Sequence, residues 1–269
     1  MAERVLILGG TGEARELAAA LAVGGIAEPV TALAGRTAEP APLAGKVRVG
    51  GFGGPEGLAA HLRAAGYAAL VDATHPFARQ ISAHAVAAAR AAGVPRLALL
   101  RPEWRPQPDD CWVEAADEDE AAAALGRLGL PVDAAVFLAL GRQRVVAFVA
   151  LPALRFVLRT VDPVDPPWPG CRVITGRGPF DATAEAALLA AEGIAAMVCR
   201  NSGGDRAKLD AAAALGLPVV MIRRPPPPEP PVAASVAEAV AWLGGVLVGE
   251  RRVGPGSPRL CRTDRDEDL

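Results

Sequence analysis

Lysine is almost missing from this 269-residue chain: Lys46 and Lys208 are the only two, and arginine supplies nearly all the positive charge. With the heavy use of alanine, this reads as coding bias before chemistry. Aromatic residues are 4% of the chain, which argues against a protein that stacks single-stranded bases on ring faces. A formal net charge of -2 and a pI near 6.0 offer no basic field to nucleic acid, and no acidic tract beyond the last few residues. The four cysteines, Cys111, Cys171, Cys199 and Cys261, stand far apart. None has zinc-ligand or CxxC spacing, which argues against a metal or disulfide framework. The longest apolar run, Val145 to Leu154, contains Pro152 and is too short to span a bilayer. Met1-Ala2-Glu3-Arg4 leads straight into a strand-like run, unlike a signal peptide. The expectation is a soluble cytoplasmic protein with no metal, nucleic-acid or membrane partner. Core material is plentiful, at 51% hydrophobic and 22% charged residues, so most of the length folds, as two domains or one large one.

Short apolar runs alternate with amphipathic, alanine-rich stretches, the βαβ pattern of parallel sheets covered on both faces. In the first hundred residues the pattern predicts strands at Val5–Leu8, Val30–Ala34, Lys46–Val49, Leu70–Asp72 and Arg96–Leu100. Helices are predicted at Glu13–Val23, Glu56–Ala65 and Phe77–Ala92. The segment Arg101 to Asp110 carries three prolines, which neither a helix nor a central strand accepts, so it reads as a crossing between domains. A second set follows, with strands at Ala135–Leu140, Arg155–Leu158, Arg172–Thr175, Ala196–Cys199 and Val219–Ile222. Its helices fall near Glu118–Leu128, Ala182–Glu192 and Arg206–Leu215. Pro225–Pro231 reads as a stiff polyproline connector to a last helix, Ser235–Leu247, that fits either domain. The resulting division is a Rossmann-like nucleotide domain over 1–102 and a second α/β substrate domain over 111–225. A C-terminal helix of open allegiance follows over 232–248, then a disordered tail over 250–269. The fold class is α/β, two Rossmann-like domains with parallel sheets and the active site in the cleft between them.

Ligands of open parallel sheets bind beyond the carboxyl ends of the strands. The first strand runs into Gly9-Gly10-Thr11-Gly12-Glu13, a turn that lets backbone approach a pyrophosphate at a helix N-terminus. Arg15 stands where a third glycine would complete GxGxxG, and a turn of this composition also serves simply to reverse a chain. The second strand ends in Gly35-Arg36-Thr37. An acidic residue there would hold the ribose 2′-hydroxyl of NAD; Arg36 suits a 2′-phosphate, a charge-assisted contact of roughly 1.5–3 kcal/mol. Its alternative is a solvated loop arginine. After the fourth strand comes Asp72-Ala73-Thr74-His75-Pro76-Phe77. With Pro76 as first helical residue, His75 reads as the N-cap, and its position at the same sheet edge also suits proton transfer or a carboxylate contact. His61 and His84 fall in predicted helices, as surface residues. In the second set three strand ends carry arginine beside small residues: Arg142 after Gly141, Arg177 between Gly176 and Gly178, and Arg200 before Asn201-Ser202-Gly203-Gly204. Together they suggest a site for several carboxylates or phosphates.

Taken together these motifs resemble the precorrin-6A reductases of cobalamin biosynthesis, over about Val5 to Pro225. The resemblance rests on Ile7 to Ala14, Leu33 to Thr37 and most specifically Val71-Asp72-Ala73-Thr74-His75-Pro76-Phe77-Ala78. It continues through Gln80-Ile81-Ser82, Arg101-Pro102-Glu103-Trp104, Gly178-Pro179-Phe180 and Asn201-Ser202-Gly203-Gly204. It implies NADPH-dependent hydride transfer to C19 of the macrocycle and a proton to C18, giving precorrin-6B. Gly9, Gly10, Thr11, Gly12 and Glu13 would then hold the pyrophosphate side of NADPH, and Arg36 and Thr37 its 2′-phosphate. Thr74, His75 and Phe77 would lie beside the nicotinamide. Arg142, Arg177, Arg200, Asn201, Ser202 and Gly203 would line the site for the carboxylate-rich tetrapyrrole. Arg200 stands where the family often carries lysine; arginine keeps the charge but is a poor proton donor, so His75 or water is left for that role. The alternatives are NADH-dependent reduction of the cobalt-containing substrate, reduction of another polycarboxylate, and a non-catalytic NADPH-binding sensor or scaffold. No motif speaks to oligomeric state.

Overall fold

The computed structural model describes residues 2–35, 41–141 and 144–252, with side chains described to residue 248. The first part of the chain forms β1 (Arg4–Leu8), α1 (Gly12–Val23), β2 (Glu28–Leu33), β3 (Lys46–Val49), α2 (Pro55–Ala65), β4 (Tyr67–Asp72), α3 (Arg79–Ala92) and β5 (Arg96–Leu99). The next part forms β6 (Trp112–Ala115), α4 (Glu118–Arg127), β7 (Ala135–Ala139), β8 (Arg155–Thr160), β9 (Cys171–Thr175), α5 (Ala182–Ala191), β10 (Ile194–Arg200), α6 (Ala207–Ala214) and β11 (Val219–Ile222). A two-residue strand, β12 (Val232–Ala233), and α7 (Val236–Arg252) follow. Among the described residues no helix is long and apolar enough to cross a membrane.

The strands make two six-stranded sheets, β3-β2-β1-β4-β5-β12 and β9-β8-β7-β10-β11-β6. All strand pairings are parallel. Continuous apolar runs explain this: Val5, Leu6 and Ile7 in β1, and Val136, Phe137 and Leu138 in β7, are fully buried, as strands covered on both faces must be. Alanine on the buried helix faces, such as Ala14, Ala18, Ala85 and Ala88, lets those helices lie close to the sheets. The two sheets share one order. In each the chain direction across the sheet reverses once, between β1 and β4 and between β7 and β10, and such a reversal opens a crevice at the strands' carboxyl ends.

The structure changes several details of the sequence reading. The crossing segment ends in β6, which pairs with β11 from Trp112↔Val219 to Ala115↔Ile222. The proline-rich connector does not merely lead to a helix. It delivers β12 to the edge of the first sheet, where Ala98 N–H donates to Pro231 O at 3.0 Å and Leu100 N–H to Ala233 O at 2.9 Å. The last helix belongs with the first sheet: Ala239, Leu243 and Leu247 share one buried cluster with Val5, Ile7, Leu17 and Leu21. It runs to Arg252, past the start of the expected tail, and residues 253–269 lie outside the described residues. His61 is not a free surface residue, since its ring lies 5.3 Å from that of Phe52 and 5.5 Å from that of Tyr67. Helix α3 begins at Arg79 with Ala78 as its N-cap, so His75 is not the cap and Pro76 is not helical. The reason is local. Asp72 Oδ1 accepts from Thr74 N–H at 3.1 Å and Thr74 Oγ1 at 2.6 Å, and Ala78 N–H donates to His75 O at 2.7 Å. This closes a tight turn before the helix starts.

Candidate active site

The glycine turn and the His75 loop meet at the reversal between β1 and β4, which pair directly from Leu6↔Leu70 to Leu8↔Asp72. Gly9 is required by packing, because a Cβ there would stand 2.6 Å from Thr31 Cγ2. Gly10 has φ +114, a conformation suited to glycine, and its vacant Cβ position faces open space. Thr11 caps α1 by accepting from Ala14 N–H at 3.2 Å. Its hydroxyl donates to Ala73 O at 2.7 Å, which ties the two loops together. A sharp turn open on its outer side, at the N-terminus of a twelve-residue helix, fits the pyrophosphate of a dinucleotide. The Glu13 carboxylate at this helix N-terminus accepts from Arg101 at 2.8 Å, with side chains 24% and 18% exposed. Burial alone would raise the Glu13 carboxyl. Hydrogen bonds from its own backbone, Arg101 and Thr11, with the Arg101 charge, bring it below the ordinary carboxylate value.

His75 lies between β4 and α3, just past the carboxyl end of β4. Its ring touches solvent, yet lost hydration pushes its pKa down to about 4, and the charges of Arg101, Arg200, Arg224 and Lys208 act in the same direction. Neutral imidazole is thus the form present at pH 7. Nδ1 accepts from Phe77 N–H at 3.3 Å, which leaves the proton on Nε2. Phe77 crosses to the second half, packing on its core with the Arg200 guanidinium 5.3 Å from its ring centroid. The Thr74 hydroxyl is held by Asp72.

The second sheet's residues divide into two kinds. Arg200, at the end of β10, donates to Glu118 Oε1 at 2.6 and 3.1 Å and to Leu140 O at 3.3 Å. Arg177 follows the edge strand β9, 3.9 Å from Asp162. Three strand spacings separate β9 from β10, roughly 14 Å, so these two arginines stand at well-separated strand ends. Asn201 works inside the protein. Its carboxamide accepts from Trp104 N–H and donates to Trp104 O, both at 2.9 Å, and a substrate carboxylate would have to displace that clamp. Gly203, at φ +69, presses on the crossing segment, where a Cβ would lie 1.9 Å from Pro102 O. Ser202 offers its carbonyl to Arg101 Nε at 2.7 Å. Arg36, Thr37 and Arg142 lie outside the described residues.

Three cations at His75 escape the strand-end reading. Arg224 stands two residues past the end of β11, the same signal as Arg200, and its guanidinium donates to Arg101 O at 2.7 Å and Asn201 O at 3.1 Å. Arg101 lies in a segment that reads as a connector. Lys208 is one of only two lysines in an arginine-rich chain, a rarity that marks it in hindsight.

Two parallel six-stranded sheets of one strand order, with a glycine turn at one reversal and cations acting on an imidazole beside it, define an α/β class of Rossmann-like sheets. The model of the precorrin-6x reductase family CbiJ/CobK matches residues 4–244. The chain is 51% identical over 246 residues to a precorrin-6A reductase of Rhodococcus erythropolis, covering 90% of this chain and 97% of that one. It is 46% identical over 241 residues to a precorrin-6A reductase of Sinorhizobium sp, covering 88% and 91%. The solved structure of a CobK precorrin-6A reductase matches it with a TM-score of 0.85 at 42% identity, over 91% of this chain and 97% of that chain. The chain therefore belongs to the precorrin-6x reductase family, oxidoreductases of cobalamin biosynthesis.

Proposed function

We propose that this protein reduces the C18=C19 double bond of precorrin-6A with NADPH, giving precorrin-6B. The observation that carries the reading is a juxtaposition: an open glycine turn meets the His75 loop, and four cations act on His75 from the crossing segment and the second half. Such a field suits a macrocycle with many carboxylates. Bound NADPH supplies the hydride, and the overall change consumes one proton: precorrin-6A, NADPH and H⁺ give precorrin-6B and NADP⁺. Gly9, Gly10, Thr11 and Gly12 hold the pyrophosphate side of the cofactor, and Glu13 positions their helix against Arg101. Arg36 and Thr37 hold the 2′-phosphate, which rests on their place after β2. Thr74 and Phe77 shape the nicotinamide side of the cleft.

Arg142, Arg177 and Arg200, with the Asn201-Ser202-Gly203 loop as their frame, receive the substrate's carboxylates. As these approach, they offset the cations that depress His75. Their charge favours the protonated imidazole, whose Nε2–H can give the proton to C18 directly or through water. Reduction of the cobalt-containing substrate with NADH ranks second, because Arg36 matches a 2′-phosphate. A sensor without catalysis has no use for a second, cation-bearing sheet.

The deciding experiment is anaerobic turnover of precorrin-6A with NADPH and, separately, with NADH, read as loss of reduced-nicotinamide absorbance. Strong preference for NADPH is expected. Arg36→Ala should raise the KM for NADPH roughly 10- to 100-fold and leave that for NADH nearly unchanged. Equal efficiency of the two cofactors in the wild type would remove the 2′-phosphate role.

A further inference from the structure

We propose that the Lys208 ammonium is a substrate-carboxylate anchor, the cation of this cleft that the protein leaves for the ligand to pair. The inference rests on the cleft being the macrocycle site. Lys208 is the second residue of α6, and helical side chains lean toward the N-terminal end of their helix. The ammonium accordingly lies over the Trp104 ring, 4.3 Å from its centroid, beside the Asn201–Gly204 loop. From there its charge reaches His75.

What distinguishes Lys208 is its lack of a counterion. Arg101 is paired with Glu13, Arg200 with Glu118, and Arg206 with Asp110. Arg224 is engaged by backbone carbonyls. Among the described residues no hydrogen bond or ion pair is formed by the Lys208 ammonium. The carboxylate that acts on it, Glu185, is taken at both oxygens by Arg159, at 2.8 and 2.5 Å. The Cys199 thiol beside it is pushed up to about 11 by burial and carries no charge at pH 7. Burial also lowers the Lys208 pKa.

Two further features mark the place as one that awaits an anion. An ammonium in the first turn of a helix opposes the helix dipole, a disposition that an incoming negative charge relieves. A ring face is a partial partner for a cation and satisfies none of its three donors. A carboxylate arriving in the cleft would supply the missing acceptor, in a region where Arg101 and Arg224 already raise the positive potential.

The test uses the whole protein with precorrin-6A and NADPH. Lys208→Met should raise the KM for precorrin-6A roughly 10- to 100-fold, with the dissociation constant for NADPH nearly unchanged. Lys208→Arg, which keeps the charge, should recover most of that loss. In the wild type the KM should rise as pH climbs through the lowered lysine pKa, and Lys208→Arg should flatten that rise. An unchanged KM in Lys208→Met would overturn the proposal. So would a Lys208→Arg enzyme with normal KM and collapsed kcat, because the lysine would then be the proton donor. If the wild type fails to turn over precorrin-6A, the functional reading fails separately. The anchor is then judged by a porphyrin octacarboxylate binding to the protein, followed by quenching of tryptophan fluorescence. Weaker binding in Lys208→Met, recovered in Lys208→Arg, sustains it, and equal binding ends it.

Discussion

The two sheets run in the same order, yet their reversal points hold different contents. Between β1 and β4 the crevice is left open: Gly10 faces empty space, and Thr11 only ties the adjoining loops together through Ala73. Between β7 and β10, among the described residues, Arg200 enters the equivalent crevice. Arg200 reaches Leu140 O, is held by Glu118, and lies under Phe77 from the other half. One reversal is thus left open at its glycine turn, and the other carries a paired arginine. The second crevice becomes part of the joint between halves and a source of positive charge.

That joint can be broken in order of severity. The largest effect is expected from Gly203→Ala. Its methyl would meet Pro102 O at 1.9 Å with φ at +69, for a loss of about 3 kcal/mol or more, read from urea unfolding. An unchanged midpoint would mean that the 201–204 loop and the crossing segment separate freely. Asn201→Ala is next. It strands the N–H and C=O of buried Trp104 and should cost about 2–3 kcal/mol. A loss below about 0.5 kcal/mol, the range of ordinary surface changes, would show that the clamp holds nothing together.

The smallest effects are in pH, and they separate the two sides of the cleft. His75 has a folded value of about 4 against an ordinary 6.5, so the unfolded chain binds the proton more readily between them. Stability should therefore fall as pH drops from 6.5 to 4, and His75→Gln should flatten that fall. Glu13 is depressed below its ordinary 4.5. Its contribution is present above 4.5 and lost as pH falls through the folded value, a loss that Glu13→Gln should remove. Thermal melts of the three proteins against pH check both windows. A wild-type Tm that stays level from 6.5 to 4 would mean that neither burial nor the nearby cations depress His75.

Much of this architecture was legible in the sequence because it depends on local pattern. Buried parallel strands are continuous apolar runs, and Val219–Ile222 was read to the residue. Strand ends with glycine or arginine could be marked before any contact was known. What stayed hidden depends on partners distant in the chain. Trp112–Ala115 is a strand because β11 lies beside it, and Val232–Ala233 because β5 does. The start of α3 at Arg79 reflects the Asp72 carboxylate holding Thr74, a side-chain competition that the His75-Pro76 pair does not announce. Asn201 and Gly203 stood out as a motif, but the Trp104 and Pro102 atoms they meet lie about a hundred positions earlier. Glu13, expected at a phosphate, is joined to Arg101 for the same reason.

The late position of β12 in the chain also bears on the order in which the molecule is finished. Residues 112–222 hold all six strands of the second sheet in one stretch, whereas the first sheet needs β12 from beyond that stretch. During synthesis the half that leaves the ribosome first is consequently the one completed last. Until residues 232–247 arrive, β5 is an open edge, and Val5, Ile7, Leu97 and Leu99 lack the Ala239, Leu243 and Leu247 that join their cluster. A chain cut after Pro225 would keep an intact second sheet beside an unfinished partner. The glycine turn therefore gains its full support only once residues 232–247 have been made.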